Sequence, residues 1–171
     1  KNSLKIYSQG LRDNENVTIL KCKKSGVFVL DDILTNKKYY EKNIIYSEKE
    51  GTTLIKSEPL EDDVRRFEQN KLKFDGKTIL DFGCGQGGFI KLIDKVTTKT
   101  VGIELNETNR KNLRDSGYDI RKDTGQLKDS EKFDYIILNH VFEHLHEPIT
   151  IMKNLKEHLE LEGEIIIEVP H

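Results

Sequence analysis

The chemistry of this chain concentrates in two acidic side chains and a run of glycines. Residues 78–88 read Thr-Ile-Leu-Asp-Phe-Gly-Cys-Gly-Gln-Gly-Gly, so an apolar stretch delivers Asp81 directly to a glycine-rich turn. Gly83, Gly85 and Gly88 allow a tight turn and close approach of the backbone to a bound molecule. Cys84 matters there through its backbone and small size, since nothing nearby marks it as a thiolate nucleophile. Asp81 precedes the first glycine by two residues, where a pyrophosphate would be repelled and a ligand ammonium would gain a charge-assisted hydrogen bond. Glu104 closes the next apolar stretch, near the spacing of about 20 residues at which an acid grips a ribose diol.

One acid for an amine and one for a ribose describe a site for an adenosyl amino acid, and S-adenosylmethionine carries both groups. A nicotinamide dinucleotide is the competing ligand for a glycine turn of this kind, and Asp81 argues against its pyrophosphate. A second cluster lies at Asn139-His140-Val141-Phe142-Glu143-His144, at the end of an apolar run. Its His-x-x-Glu-His spelling matches an inverted zinc-protease motif, but that motif belongs within a long helix, and here it follows a strand, so no metal is expected. His144 either takes a proton from an acceptor or orients its loop, and Glu143 stands beside it.

These residues, in this order, resemble the Rossmann-like class I S-adenosylmethionine-dependent methyltransferases of the broad small-molecule group. The likeness runs over roughly residues 60–171: Leu80-Asp81-Phe82-Gly83-Cys84-Gly85, Gly102-Ile103-Glu104, Asp123, Phe133-Asp134-Tyr135-Ile136-Ile137, Glu143-His144-Leu145 with Pro148, and Gly163 to Pro170. The resemblance implies that Glu104 with Leu105 holds the cofactor's ribose end and that Asp123 with Thr124 meets the adenine, although Asp123 also reads as an ordinary turn residue. It implies that Asn139 and His140 line the methionine part and the acceptor pocket, with Glu143 and His144 as the catalytic candidates. The expected reaction is methyl transfer to an oxygen or carbon of a small metabolite. A non-catalytic cofactor-binding domain is the further alternative.

The elements that must position these residues alternate. Strands are predicted at 77–82, 100–104, 118–122, 132–138 and 164–169, as continuous Ile/Val/Leu runs suited to a parallel sheet covered on both faces. Helices are predicted at 87–95, at 106–116 from the N-cap Asn106 to Gly117, and at 148–160 with Pro148 in the first turn and Ile151, Met152, Leu155 and Leu159 on one face. Asp62 to Phe67 predicts a helix ahead of the first strand. The whole is an α/β, doubly wound, mostly parallel sheet that stops after its fifth strand, whereas the family fold adds two more; a truncated chain with an open edge is expected.

Residues 1–59 predict a small β-rich module and linker before the domain at 60–171. Val17–Lys21 and Gly26–Leu30 flank a polar turn, as in a β-hairpin. Some sugar-modifying relatives carry a zinc knuckle at this place, but Ser25 replaces its second cysteine, leaving at most a metal-free remnant; the acceptor expectation therefore leans toward a sugar or sugar nucleotide. Tyr39 and Tyr40 are packing residues or contacts of a segment closing over the cofactor.

Lysines alternate with acids and the net charge is −2, which offers no basic footprint for nucleic acid. No apolar run approaches the length of about 20 residues that spans a bilayer. Two cysteines, Cys22 and Cys84, make no disulfide framework and suit a reducing cytoplasm.

Overall fold

The computed structural model describes residues 3–11, 14–31 and 58–170. The chain divides into two compact units, Lys1–Asn36 and Lys37–His171. Tyr39 and Tyr40, read as packing residues or cofactor contacts, lie outside the described residues.

The first unit is a three-stranded antiparallel sheet of β1 (Leu4–Leu11), β2 (Asn14–Cys22) and β3 (Phe28–Leu30), in that order. The predicted hairpin is β2–β3, closed by mutual backbone bonds between Cys22 and its turn: Cys22 N–H donates to Val27 O at 2.8 Å and Gly26 N–H to Cys22 O at 2.9 Å. Strand β1 was not expected from its sequence. Its Leu-Lys-Ile-Tyr-Ser-Gln run is interrupted by bulges on either side of Ser8 and Gln9, which blur the alternation by which a strand is read. Tyr7 stacks edge-on against Phe28 at 4.7 Å, under the Lys21 ammonium. In the turn, the Cys22 sulfur accepts the Ser25 N–H at 3.5 Å. This bond and that of the Ser25 hydroxyl hold the thiol down at about 6.

In the second unit α1 (Glu61–Phe74) precedes β4 (Thr78–Phe82), α2 (Gly88–Ile93), β5 (Lys99–Ile103), α3 (Glu107–Asp115), β6 (Asp119–Arg121), β7 (Phe133–Asn139), α4 (Pro148–Lys156) and β8 (Leu159–Glu168). The five strands are parallel in the order β6-β5-β4-β7-β8. Order reverses between β4 and its neighbours, so a crevice opens at the carboxyl ends of β4 and β7, the topological switch point of doubly wound sheets.

Strand pleating divides the core into two layers. Ile79, Tyr135, Ile137 and Ile166 face one side, against Phe74 of α1 and Phe89 and Ile93 of α2. Leu80, Ile136, Leu138 and Ile165 face the other, against Leu155 and Met152 of α4. The alternation places Asp81, Asn139 and Glu168 on the first side, under α1, at the strand ends.

The predicted helix at 148–160 ends at Lys156, and the last strand begins at Leu159 instead of residue 164. Leu159 fits the helical stripe of Leu155 and Met152, but it pairs with Phe133, and Phe133 N–H donates to His158 O at 2.8 Å. The parallel ladder wins over the helical period. Helix α1 runs about two turns longer at its C-terminal side than the predicted segment, because Phe74 is fully buried between Phe89 and Tyr135.

Candidate cofactor site

The turn between β4 and α2 is built by backbone conformations that side chains resist. Gly83, Gly85 and Gly87 all have positive φ, at 83°, 56° and 79°. The first two were read from the sequence; Gly87, the left-handed N-cap of α2, was not, although the Gly-x-Gly-x-Gly rhythm carried the signal. Gly88 is helical and is glycine for a different reason. A Cβ there would stand 2.2 Å from Asp63 Oδ2. At Gly85 a Cβ would meet nothing within 4 Å, so this part of the turn faces open space.

Cys84 is consumed by the fold. Its N–H donates to Ile103 O at 3.0 Å, its carbonyl accepts from Gly87 N–H at 2.9 Å, and its side chain packs with Ile90, Leu113 and Ile120. Burial drives the thiol well above its ordinary range.

Asp81 is 1% exposed, and its Oδ2 has no hydrogen-bond partner. Burial first, then the charges of Asp63 and Glu104, push its carboxyl up to about 7; Arg66 opposes them. The β4–β7 register sets Asp81 beside Ile137, and Asn139 lies two residues beyond on the same face. Asn139 Nδ2 is likewise buried without a partner. An unpaired acceptor and an unpaired donor thus lie on one sheet face, on adjacent strands. Each is costly unless something binds there.

Glu104 stands across the turn. Its Oε2 accepts Gly85 N–H at 2.8 Å and its Oε1 accepts Asn106 N–H at 2.7 Å. Burial raises its carboxyl and these backbone bonds oppose the shift. Two bonds leave part of a carboxylate's four lone-pair positions open to hydroxyls. The neighbouring Leu105 carbonyl is taken by Arg110. Asp123 caps a 3₁₀ turn at Thr124–Gln126 through the Gly125 N–H at 3.1 Å, beyond the end of β6.

The second cluster forms a line of alternating carboxylates and imidazoles. His140 has a left-handed backbone, φ 53°, and its N–H donates to Glu168 O at 2.8 Å. Its Nε2 is 3.5 Å from Glu168 Oε1 and its Nδ1 3.7 Å from Glu143 Oε1, which is 3.8 Å from His144 Nε2. Glu143 and His144 sit in a 3₁₀ turn at Phe142–His144, not in a long helix. Glu168 also accepts Arg65 Nη2 and Arg66 Nη2, both at 2.7 Å, which hold its carboxyl down at about 2. Asp63, Arg66 and Glu168 were missed by sequence reading. Glu168 and Arg66 are 102 residues apart, and no local pattern links them.

The family described as "Methyltransferase domain" matches residues 54–171. The chain belongs to this family. A ubiquinone biosynthesis O-methyltransferase of Actinobacillus pleuropneumoniae serotype 7 (strain AP76) is 29% identical over 101 residues, 52% of this chain and 43% of the relative. The same enzyme from serotype 5b (strain L20) is 28% identical over the same shares. The chain therefore spans less than half the length of these curated relatives. Among solved structures, a coclaurine N-methyltransferase bound to N-methylheliamine and SAH superposes with a TM-score of 0.55 at 18% identity, covering 71% of this chain and 38% of its own. The plantazolicin methyltransferase BpumL gives 0.52 at 23%, covering 62% and 44%. These likenesses bear out the Rossmann-like methyltransferase fold expected from the sequence. Among the described residues, no helix is long and apolar enough to cross a membrane.

Proposed function

We propose that this chain transfers a methyl group from S-adenosylmethionine to an oxygen or carbon of a small metabolite. The observation that carries the reading is the pair of orphaned buried atoms, Asp81 Oδ2 and Asn139 Nδ2, at one end of one sheet face. A zwitterionic amino-acid tail satisfies both: its ammonium takes the acceptor and its carboxylate takes the donor. Glu104 offers its remaining lone pairs to a ribose diol, with Leu105 alongside, and the open face of Gly85 admits the ligand to the backbone. Asp123 and Thr124 then lie toward the adenine, and His140 toward the methionine part.

When bound, the cofactor supplies a methyl already activated on a sulfonium, so holding an acceptor in line is much of the catalysis. On this reading Glu143 and His144, 3.8 Å apart, orient that acceptor or take its proton. The curated relatives are O-methyltransferases, which favours oxygen as the acceptor atom. A sugar or sugar nucleotide as acceptor rests on the amino-terminal sheet alone, by analogy.

Isothermal titration of the folded protein with S-adenosylhomocysteine tests the reading. Binding in the micromolar range is expected, with no response to NAD; a response to NAD and none to S-adenosylhomocysteine would replace it with a nicotinamide enzyme. Turnover against a panel of hydroxylated acceptors separates an enzyme from a binding domain.

A further inference from the structure

Past the last rung of the β5–β6 ladder, at Ile103 and Arg121, the chain leaves the sheet with two carbonyls, those of Glu104 and Leu105, that the ladder no longer serves. One side chain takes both. Arg110, one turn into α3, reaches back over the helix N-terminus and donates from Nη1 to Glu104 O at 2.8 Å and to Leu105 O at 2.5 Å. Its Nη2 donates to the Glu107 carboxylate, so both Nη atoms are committed.

This is a costly place for a cation. The Arg110 side chain is 5% exposed and lies near the N-terminal end of α3, where the helix dipole disfavours positive charge. Glu107, the carboxylate it bonds, is 73% exposed, so that pair returns little. An apolar side chain of similar volume would serve stability about as well. What the guanidinium adds is a fixed backbone at residues 104 and 105, which only a forked donor can give.

That backbone carries Glu104. The Glu104 carboxylate is itself pinned by the N–H groups of Gly85 and Asn106, at 2.8 and 2.7 Å. The clamp sets where the side chain starts and the two N–H bonds set how its carboxylate is turned. Burial raises the Glu104 carboxyl, while those backbone bonds and then the charge of Arg110 oppose the rise.

We propose that Arg110 is a positioning residue for ribose recognition: by clamping the carbonyls of Glu104 and Leu105, it holds the Glu104 carboxylate in the setting that grips both hydroxyls of a vicinal diol. The inference rests on the proposed cofactor. Holding two hydroxyls at once is exacting, because each bond weakens steeply with distance and angle. A small shift of this segment breaks one of them, while Asp81 and Asn139, on β4 and β7, stay where they are.

The experiment is titration calorimetry of S-adenosylhomocysteine and its 2′-deoxy analogue against wild type, Arg110→Met and Arg110→Lys. Wild type is expected to prefer the ribose form by about tenfold or more, as for a hydrogen bond to a charged group. Arg110→Met, with a side chain that fills the space without the fork, shrinks that preference to about threefold or less and leaves affinity for the 2′-deoxy analogue within about twofold. Arg110→Lys keeps the charge but not the fork, and its preference falls between the two. Where Arg110→Met fails to fold, as judged by its thermal melt, Arg110→Lys decides: a reduced preference supports the proposal and an unchanged one overturns it. The proposal is also overturned by an Arg110→Met protein that keeps the wild-type preference, or that loses affinity for both ligands equally, as a merely structural residue would. Wild type binding both ligands equally removes the ribose role of Glu104 and the proposal with it. Absence of any S-adenosylhomocysteine binding by the wild type overturns the cofactor reading instead.

Discussion

A carboxyl buried with one oxygen unpaired works against the empty protein. Asp81 holds its proton up to about 7 in the fold, well above its range in an unfolded chain. The sign follows from proton binding: between pH 4 and 7 the folded state binds more protons, so stability falls as pH rises through that window. Asp81→Asn is therefore expected to raise the melting temperature of the ligand-free protein, by more at pH 8 than at pH 5, in a thermal melt at both values. If Asp81 holds the ammonium as proposed, the same substitution lowers S-adenosylhomocysteine affinity by about 10- to 100-fold, read by calorimetry. Stability gained where binding is lost marks a side chain kept for a ligand. Asp81 and Glu104 were legible in the sequence, because each ends an apolar strand run beside glycine. Asp63 was not. Its position depends on how a helix from elsewhere in the chain docks, and spacing along the chain does not encode that.

Elements hold these residues by two different means. The glycine turn relies on backbone freedom: at Gly83, φ is 83° and a Cβ would meet Val141 Cγ2 at 2.4 Å. Gly83→Ala is expected to cost about 2–3 kcal/mol by denaturant titration, combining backbone strain with a clash against the segment that follows β7. Helix α1 is held by the burial of Phe74 and also by charge. Arg66, itself buried, joins α1 to the end of β8 through Glu168. Arg66→Ala should cost about 2 kcal/mol near neutrality, since it strips a partly buried carboxylate of its main partner. Glu168 is depressed to about 2, so the stabilisation is present above the ordinary carboxylate range and fades as pH falls toward 2. The gap between variant and wild type should then narrow between pH 5 and pH 3 in thermal melts. Continuous apolar runs made the five parallel strands readable, whereas the point where α4 yields to β8 was not, because ladder pairing with β7 decides it.

At the scale of the molecule, β8 pairs only with β7 among the described residues and presents its other edge. Leu161 is 95% exposed on it, flanked by Glu160 and Glu162, charges of the kind that discourage pairing with a further chain. Replacing both glutamates with glutamine takes the net charge from −2 to neutrality, and light scattering should show a concentration-dependent rise in associated species. Sequence reading found two of the three amino-terminal strands, since bulges hide the period of β1.

The contrast between the two cysteines gives the protein a built-in handle. The sulfur of Cys84 is sealed among Ile90, Leu113 and Ile120, while that of Cys22, in a polar turn of the other unit, is largely anionic at neutral pH. A maleimide dye added at pH 7 should tag Cys22 and spare Cys84, placing a single fluorophore on the amino-terminal sheet while leaving the glycine turn chemically untouched.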